Sequence, residues 1–459
     1  MRIYDSLSGE KKPLEKIISG KKIKLFVCGP TVYDAAHIGH ARTYLAFDML
    51  VRYLRGRGYD VFYLQGITNI DDKIIRRALD KKISALKLAD DFTKQYLKDM
   101  RSLGITSVTK YAKSTDHIQE IVKQVQALVK KGVAYKIKDD GYYFDIMKFS
   151  DYGKLSHRTA AQAEDSVTRI DEGVNKRNKG DFCLWKFSKA NEPSWKTPLG
   201  QGRPGWHIED TAISEHFFGP QYDLHGGGLD LKFPHHEAEI AQQEAASGKK
   251  PFVKIWMHTG MLTVNGEKMS KSLNNFLTIA DFLKAFSPNV LRLLVAQHQY
   301  RAPLNYSQEA AASAERALDS LNQFIAKLKL AKGKNALKTS IESHEALFQA
   351  KMEDDFNTPE ALAVLFSSIN ANQKSLWSVN KTDAKMAVKW LTEKLKTFNL
   401  TLKEPKIPAK IKQLAKKREL FRTNKQFTPA DDLRRKIEVL GYSIEDTPRG
   451  PFLWPKKLL

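Results

Sequence analysis

Two short motifs, one near the start of the chain and one past its middle, carry residues suited to phosphate chemistry. The first is His37-Ile38-Gly39-His40, placed where a predicted strand ends and a helix is expected to begin. Backbone N–H groups at a helix N-terminus favour phosphate, and Gly39 lets a nucleotide approach the backbone closely. His37 and His40 can donate hydrogen bonds to phosphate oxygens as charge builds in a transition state. Two histidines that merely face solvent at a helix cap are an equally frequent meaning of such a motif.

The second motif is Lys268-Met269-Ser270-Lys271-Ser272, in a loop flanked by glycine and asparagine. Lys268 and Lys271 can straddle a triphosphate and stabilise pyrophosphate as it leaves, because each is a compact positive charge. Ser270 adds a neutral hydrogen-bond donor. For an isolated pair of lysines at this spacing, a basic surface loop is the commoner explanation.

A glycine run lies between these motifs. Gly226, Gly227 and Gly228 are followed by Leu229 and Asp230. Three glycines permit a flat backbone surface for a base, and the Asp230 carboxylate can accept hydrogen bonds from ribose hydroxyls. On its own, such a run is usually just a turn.

A third group of residues is suited to a metal ion. His235 and Glu239 are four residues apart in a predicted helix, with Pro234 in its first turn, and therefore share one face. Imidazole and carboxylate are competent zinc ligands, and Cys28 at the end of a predicted strand can add a thiolate. An exposed helix with mixed charges explains most isolated pairs of this kind.

The elements expected to position these groups belong to a parallel sheet. Residues 24–28 and 60–64 are typical of buried strands and residues 40–55 of a helix, and a βαβ unit implies a parallel sheet covered by helices. The predicted fold class is α/β, with a Rossmann-like parallel-sheet domain that is split by an insertion and followed by helical and small basic domains. The predicted segments are 1–112 and 206–280 for the sheet domain, 113–205 for the insertion, 281–400 for the helical domain and 401–459 for the basic domain.

The amino-acid composition limits the binding partners and the cellular location expected of the protein. The 459 residues include 75 Lys+Arg and 52 Asp+Glu, a formal net charge of +23, which attracts nucleic acid or an anionic membrane surface. A generally basic proteome gives the same excess. No apolar run of membrane-spanning length and no secretory signal is evident, so a cytoplasmic protein without membrane contact is expected. Two cysteines exclude a disulfide framework, and Cys183 is expected in the core.

The two phosphate motifs, in this order and within a sheet domain, resemble the paired signatures of class I aminoacyl-tRNA synthetases. The glycine run resembles the adenosine-binding loop of that class. Longer stretches are similar to the cysteinyl-tRNA synthetase family, and the likeness runs from about residue 2 to the end. These stretches are residues 26–34 (FVCGPTVYD), 71–75 (DDKII), 202–209 (GRPGWHIE), 233–237 (FPHHE), 256–260 (WMHTG) and 450–454 (GPFLW).

This resemblance implies an AMP-forming ligase that activates cysteine with Mg·ATP and transfers it from cysteinyl-adenylate to tRNA-Cys, in a chain expected to be a monomer. It implies catalytic roles for His37, His40, Lys268 and Lys271. It implies ATP contacts from Gly39, Gly226, Gly227, Gly228, Asp230, Ser270 and Lys271, and substrate contacts from Gly29, Thr68 and Trp206. For the anticodon arm, the candidates are Arg422, Lys425, Arg434, Arg435 and Trp454.

The resemblance also implies one zinc ion, held by two Cys, one His and one Glu, that binds the thiolate of the substrate. Cys28, His235 and Glu239 match three ligands, whereas Asp210 stands where the family has its second Cys. Aspartate keeps the ligand charge but is harder and binds about 0.2–0.3 Å closer to zinc. The predicted metal site is therefore Cys28, Asp210, His235 and Glu239, with a weakened or metal-free site as the alternative.

A second departure from the family pattern lies near Thr68. The family reads Asn-Ile-Thr-Asp where this chain has Gly66-Ile67-Thr68-Asn69, so substrate contacts there are expected to be rearranged. Two other functions remain open at this point. One is a paralogous ligase that joins activated cysteine to an amino-sugar, and the other is a non-catalytic RNA-binding relative.

Overall fold

The computed structural model describes residues 1–158, 175–270, 273, 275–402 and 404–456. The chain divides into two units. The first comprises Met1–Gln308 and Met352–Thr358, and the second comprises Glu309–Lys351 and Pro359–Leu459. The five segments predicted from the sequence are a finer division and stay a prediction.

Strands and helices follow one another along most of the described chain. The strands are, in chain order, β1 (Arg2–Asp5), β2 (Glu10–Pro13), β3 (Lys22–Val27), β4 (Asp60–Ile67), β5 (Lys110–Lys113), β6 (Ala134–Ile137), β7 (Gly141–Phe144), β8 (Phe182–Phe187), β9 (Trp195–Thr197), β10 (Gly200–Pro204), β11 (Tyr222–Gly228), β12 (Val253–Thr259), β13 (Leu262–Val264), β14 (Glu267–Lys268), β15 (Leu304–Tyr306), β16 (Tyr442–Thr447) and β17 (Gly450–Pro455). The helices are α1 (Ile38–Gly56), α2 (Asp72–Asp80), α3 (Ala85–Ser102), α4 (Ile118–Lys130), α5 (Ile208–Phe218), α6 (Glu237–Ser247), α7 (Ile279–Ala285), α8 (Pro288–Ala296), α9 (Gln308–Leu330), α10 (Ile341–Glu353), α11 (Thr358–Gln373), α12 (Lys381–Thr397), α13 (Ala409–Thr423) and α14 (Phe427–Val439).

The central sheet of the first unit is parallel, with the strand order β12-β11-β3-β4-β5. Helix α1 connects β3 to β4, so the predicted βαβ unit and the α/β fold class are confirmed. Leu25, Phe26 and Val27 are fully buried, as expected of a parallel strand that is covered on both faces. The carboxyl ends of all five strands meet at one edge, where side chains from the following loops are brought together.

The segment between β5 and α5 contains an antiparallel sheet with the order β6-β7-β8-β10-β9. The predicted turn at residues 139–141 joins β6 to β7, and Asp139 adopts the left-handed conformation (φ 60°) that this turn requires. Cys183 lies in β8 and packs with Tyr135 and Tyr143, so its predicted place in the core is confirmed.

The second unit is mostly helical and ends in α13, α14 and the hairpin β16–β17. Its last part has a small core of its own, formed by Ile411, Ala415, Ile437 and Ile444. The sequence analysis assigned no strands to this part. Trp454, expected to offer a stacking plane to RNA, is instead buried and donates a hydrogen bond from Nε1 to Asp319 Oδ1 over 2.8 Å.

The segment before α6 differs from its predicted form. Helix α6 begins at Glu237, and residues 232–236 form a wider π-type turn in which Phe233 is extended (φ −139°, ψ 135°). The residue before a proline is disfavoured in the helical region, so Pro234 delays the helix instead of opening it. Among the described residues, no helix has the combination of length and apolar character that crossing a membrane requires.

A buried ion cluster anchors α1, the helix that follows the first phosphate motif. Asp48 has no exposed surface, and its Oδ2 lies 2.9 Å from both Arg52 Nε and Arg292 Nη1. Its Oδ1 accepts hydrogen bonds from the backbone N–H groups of Thr106 and Ser107. Burial alone raises the pKa of Asp48, but the two guanidinium groups outweigh it and hold the pKa below its usual value.

We expect Asp48→Ala to destabilise the protein by about 3–5 kcal/mol, because it leaves Arg292 buried without a counter-ion. The shift in the thermal and urea midpoints measures this loss. Asp90→Ala is the matched control, since Asp90 forms an exposed ion pair with Lys94 on α3 and should change stability little. Equal midpoint shifts for the two variants would contradict the account.

Candidate active site

The loops that follow β3 and β4 are held together by their backbones. Val32 N donates to Thr68 O over 3.1 Å, and Thr68 N donates to Pro30 O over 3.2 Å. A Cβ atom built on Gly29 would lie 1.6 Å from Gly66 O, so only glycine allows this approach. Gly29 and Thr68, two of the predicted substrate contacts, therefore lie side by side at the carboxyl edge of the sheet.

The structure brings the four predicted metal-binding side chains together at the same edge. His235 Nε2 lies 3.1 Å from Asp210 Oδ2 and 3.0 Å from Glu239 Oε1, and Cys28 Sγ lies 3.7 Å from Glu239 Oε1. All four donor atoms lie within 4.8 Å of one another, and all four residues are buried. The residue after β3, helix α5, the turn before α6 and α6 itself each supply one of them.

This donor set fits a zinc ion. Tetrahedral zinc with sulfur, nitrogen and oxygen ligands places them about 3.3–3.8 Å apart, close to the observed separations. Among the described residues, the buried Glu239 Oε2 has no hydrogen-bond partner, and His225 Nε2 lies 3.5 Å from it. Burial, followed by the nearby carboxylates of Glu239 and Asp210, raises the pKa of the Cys28 thiol, and burial and Asp210 raise that of Glu239. A cation relieves the repulsion among these acidic groups.

Two histidines that the sequence analysis missed also face Cys28. The Nε2 atoms of His225 and His236 each lie 3.2 Å from Cys28 Sγ, and with Glu239 these residues form a second set of potential ligands. Tyr222 Oη lies 2.6 Å from Nδ1 of His225 and His258 Nε2 lies 2.8 Å from Nδ1 of His236, which orients both rings. Burial lowers the pKa of both histidines, so both rings are neutral. The available signal was the position of His225, within β11 just before the glycine run, and that of His236, next to His235.

The predicted contact Trp206 covers the metal cluster. Its ring stacks on His235 with centroids 4.5 Å apart and an interplanar angle of 18°. Lys73 Nζ lies 5.9 Å from the Trp206 ring. The Thr68 hydroxyl donates to Oε1 of the fully buried Glu209. Trp206 thus contacts His235, and Thr68 contacts Glu209, the residue next to Asp210.

The two departures from the family pattern meet in space. A Cβ atom built on Gly66 would lie 2.8 Å from Asp210 Oδ1, closer than a Cβ contact allows. The aspartate oxygen therefore lies close to where a side chain at position 66 would begin, and glycine leaves room for it. Gly66 and Asp210 form a matched pair.

The first phosphate motif caps α1. His37 Nδ1 accepts from the backbone N–H groups of Gly39 (3.1 Å) and His40 (3.3 Å), and His40 Nδ1 accepts from His37 N (3.4 Å). The predicted backbone donors of Gly39 and His40 are thus already engaged. Burial lowers the pKa of His37 to about 4, and burial and His37 lower that of His40 well below its usual value. Each neutral ring carries its proton on Nε2, which is the remaining donor.

The lysine motif lies against this cap. Met269 Cε is 3.4 Å from a Cβ atom built on Gly39, and Phe276 packs edge-on against His37 with centroids 5.2 Å apart. Ile38 N donates to Leu277 O over 3.1 Å. Lys268 is exposed and Ser270 is half-buried on either side of Met269, whereas Lys271 lies outside the described residues.

The glycine run closes β11. Cβ atoms on Gly226 and Gly227 would lie 2.2 Å from Phe47 Cζ and 2.7 Å from His236 Cε1, so these two glycines make room for neighbouring side chains. Gly228 is half-buried and Asp230 is exposed, which leaves both accessible to a ligand. Of the predicted adenosine contacts, Gly228 and Asp230 are thus the better placed.

Comparisons with known proteins agree with this geometry. Residues 14–316 match the model of the class I (C) tRNA synthetase catalytic domain, and residues 347–398 match the DALR domain. The cysteine–tRNA ligase of Thermococcus gammatolerans is 42% identical over 98% of each chain, and that of Caldicellulosiruptor saccharolyticus is 41% identical over 98% of each chain. Among solved structures, methionyl-tRNA synthetase of Mycobacterium tuberculosis with methionyl-adenylate has a TM-score of 0.62 over 83% of this chain and 90% of that one.

At 16% identity, the methionyl enzyme supports the fold alone. The relatives of about 40% identity extend over nearly the whole chain, including the second unit. This full-length match disfavours the amino-sugar ligase and the non-catalytic alternative. The chain therefore belongs to the cysteinyl-tRNA synthetase family of class I aminoacyl-tRNA synthetases.

Proposed function

We propose that this chain ligates cysteine to tRNA-Cys through cysteinyl-adenylate, with a zinc ion held by Cys28, Asp210, His235 and Glu239. The observation that carries the proposal is the convergence of these four buried donors at the carboxyl edge of the sheet. Two phosphate-binding motifs lie against each other at the start of α1, the helix that follows β3. The metal selects the side chain of the amino acid, and the motifs bind the nucleotide.

Adenylate formation proceeds by attack of the cysteine carboxylate on the α-phosphate of Mg·ATP, with pyrophosphate leaving. The Nε2–H groups of His37 and His40 donate to phosphate oxygens as their charge increases, and Lys268 with Lys271 stabilises the departing pyrophosphate. Gly228 and Asp230 hold the adenosine, Asp230 by accepting from ribose hydroxyls. No side chain acts as a nucleophile, so the rate arises from positioning and electrostatics. The terminal adenosine of the tRNA then attacks the adenylate.

Selection against serine depends on the metal site. A pocket that recognises shape alone separates such analogues by only about 10²-fold. When bound, zinc supplies a Lewis acid that prefers the substrate thiolate to a hydroxyl. Trp206 covers the site, while Gly29 and Thr68 border the substrate. The Glu209 side chain positions the Thr68 hydroxyl by accepting a hydrogen bond from it.

For the RNA, we propose that the second unit binds the anticodon arm of tRNA-Cys. Lys425, Arg434 and Arg435 are candidate phosphate contacts on or near α14. Arg422 pairs with Asp446 over 2.6 Å and so links α13 to β16, which favours a structural role, whereas the ion pairs of Arg434 and Arg435 stay within α14.

We expect Asp210→Ala to lower zinc affinity by at least about 10–100-fold and to raise the apparent KM for cysteine, with serine still rejected. Metal analysis of the purified chain and ATP–pyrophosphate exchange at varied cysteine concentrations measure the two effects. Retention of wild-type zinc content and KM would remove Asp210 from the site and favour the set that includes His225 and His236.

The matched control for this prediction uses Gly66. Gly66→Ala should lower zinc content when Asp210 is present, because the new methyl group displaces the carboxylate. In the Asp210→Cys background, the shorter side chain leaves room and the same substitution should have little effect. Equal losses in both backgrounds would show that Gly66 and Asp210 act independently.

We expect His37→Asn to separate helix capping from catalysis. Asparagine is a favourable N-cap and can keep accepting the Gly39 and His40 backbone N–H groups, so stability should be preserved. The Nε2 donor is lost, and pyrophosphate exchange should fall about 10²–10³-fold at unchanged zinc content. His37→Ala should lose activity and, in addition, about 1 kcal/mol of stability. A fully active His37→Asn variant would exclude the phosphate role.

A further inference from the structure

A second group of metal-binding side chains lies outside the active site, where the start of α4 meets the last turn of α5. His117 ends the 3₁₀ turn Ser114–His117, Glu120 lies in the first turn of α4, and His216 lies in the last turn of α5. His216 Nδ1 is 3.2 Å from Glu120 Oε1, and His117 Nδ1 is 3.9 Å from Glu120 Oε2. The three donor atoms all lie within 4.8 Å of one another.

His117 is the informative member of this group. Only 10% of its side chain is exposed, and its buried Nδ1 has no hydrogen-bond partner in the part of the chain that the structure describes. A buried polar nitrogen without a partner is costly, so this atom is available to a ligand. Burial also lowers the pKa of His117, which keeps the imidazole neutral, the form that binds metals. Phe217 packs against the rings of His117 and His216, with centroids 5.7 and 4.9 Å away, and restricts their orientations.

We propose that His117, Glu120 and His216 form a binding site for a divalent metal ion, for which zinc fits best. Two imidazoles and one carboxylate are a zinc donor set, and three protein ligands leave one position for water. The observed separations of 3.2 and 3.9 Å bracket the ligand spacing of about 3.3 Å that nitrogen and oxygen ligands of zinc adopt. His216 is half exposed, so an ion can enter from solvent.

The position of this site gives it a consequence for the active site. Helix α5 carries Asp210 in its first turn and His216 in its last. The α4 residue Gln124 already links the two helices, since its Nε2 donates to Glu215 and its Oε1 accepts from Thr211. An ion bound to His117, Glu120 and His216 adds a second link between the start of α4 and the end of α5. Metal bound at the C-terminal end of α5 therefore stabilises the helix whose first turn contains Asp210.

The electrostatic surroundings are mixed. Glu120 and Asp116 favour a cation at His117, whereas Lys110 opposes it. The ion is therefore expected to bind more weakly here than among the buried acidic groups of the active site. This difference in affinity lets the two sites be filled in sequence.

The test uses the full chain, first given one equivalent of zinc and then titrated with cobalt(II). Absorbance reports cobalt bound to nitrogen and oxygen without a thiolate charge-transfer band, and the thermal midpoint reports stabilisation. The variants are His216→Asn and Glu120→Gln. The matched control is His157→Asn, because His157 is an exposed histidine outside the cluster whose left-handed backbone (φ 58°) asparagine tolerates.

We expect the wild-type chain and His157→Asn to bind one additional equivalent of cobalt and to melt at a higher temperature with it. His216→Asn and Glu120→Gln should bind that equivalent at least about tenfold more weakly and lose the shift in melting temperature. Bound metal is compared between wild type and His216→Asn, so the result does not depend on the active-site ion. Equal cobalt affinity in wild type and His216→Asn would overturn the proposal. Uptake only at millimolar cobalt, an adventitious ion only, would also overturn it.

Discussion

Burial of several acidic groups in one small volume is the constraint on which the catalytic half of this protein depends. Cys28, Asp210 and Glu239 converge within a few ångströms, each almost fully removed from water. Desolvation and mutual repulsion raise the pKa values of Cys28 and Glu239, so a cation bound among these groups would stabilise their charged forms. The parallel sheet enforces the convergence, because the chain leaves β3 at Cys28 and the helices against that edge supply the other two. Neutral histidines such as His225 surround these acidic groups without adding charge.

The same constraint explains why two unusual residues occur together. A carboxylate reaches farther than the thiolate that the family has at position 210, and its Oδ1 lies where the Cβ of residue 66 would otherwise be. Glycine at position 66 removes that obstacle. In the proposed site, a hard oxygen ligand thus stands where the family resemblance implies a soft sulfur ligand, and the formal ligand charge is unchanged.

Much of the fold and of the candidate site could be predicted from hydrophobic periodicity and local motifs in the sequence. The buried run of β3, the glycines after α1 and the following strand sufficed for the βαβ unit. The family resemblance at Asp210 and His235 predicted the group of metal-binding side chains, and these side chains lie close together in the structure. The capping of α1 by His37 could not be predicted, because in the sequence a histidine that caps a helix looks the same as a histidine that faces solvent. The late start of α6 followed from the restriction that Pro234 places on Phe233, and the hairpin β16–β17 forms only through tertiary packing.

We propose that zinc bound in this chain would have a single protein thiolate ligand, Cys28, and that the thiolate of the substrate would add a second sulfur. Zinc X-ray absorption of the full chain measures the number of sulfur neighbours directly. The account predicts one sulfur at about 2.3 Å, with nitrogen and oxygen at about 2.0–2.2 Å, and two sulfurs after addition of cysteine but not of serine. A sulfur count that is zero without substrate, or that does not change when cysteine is added, would contradict it.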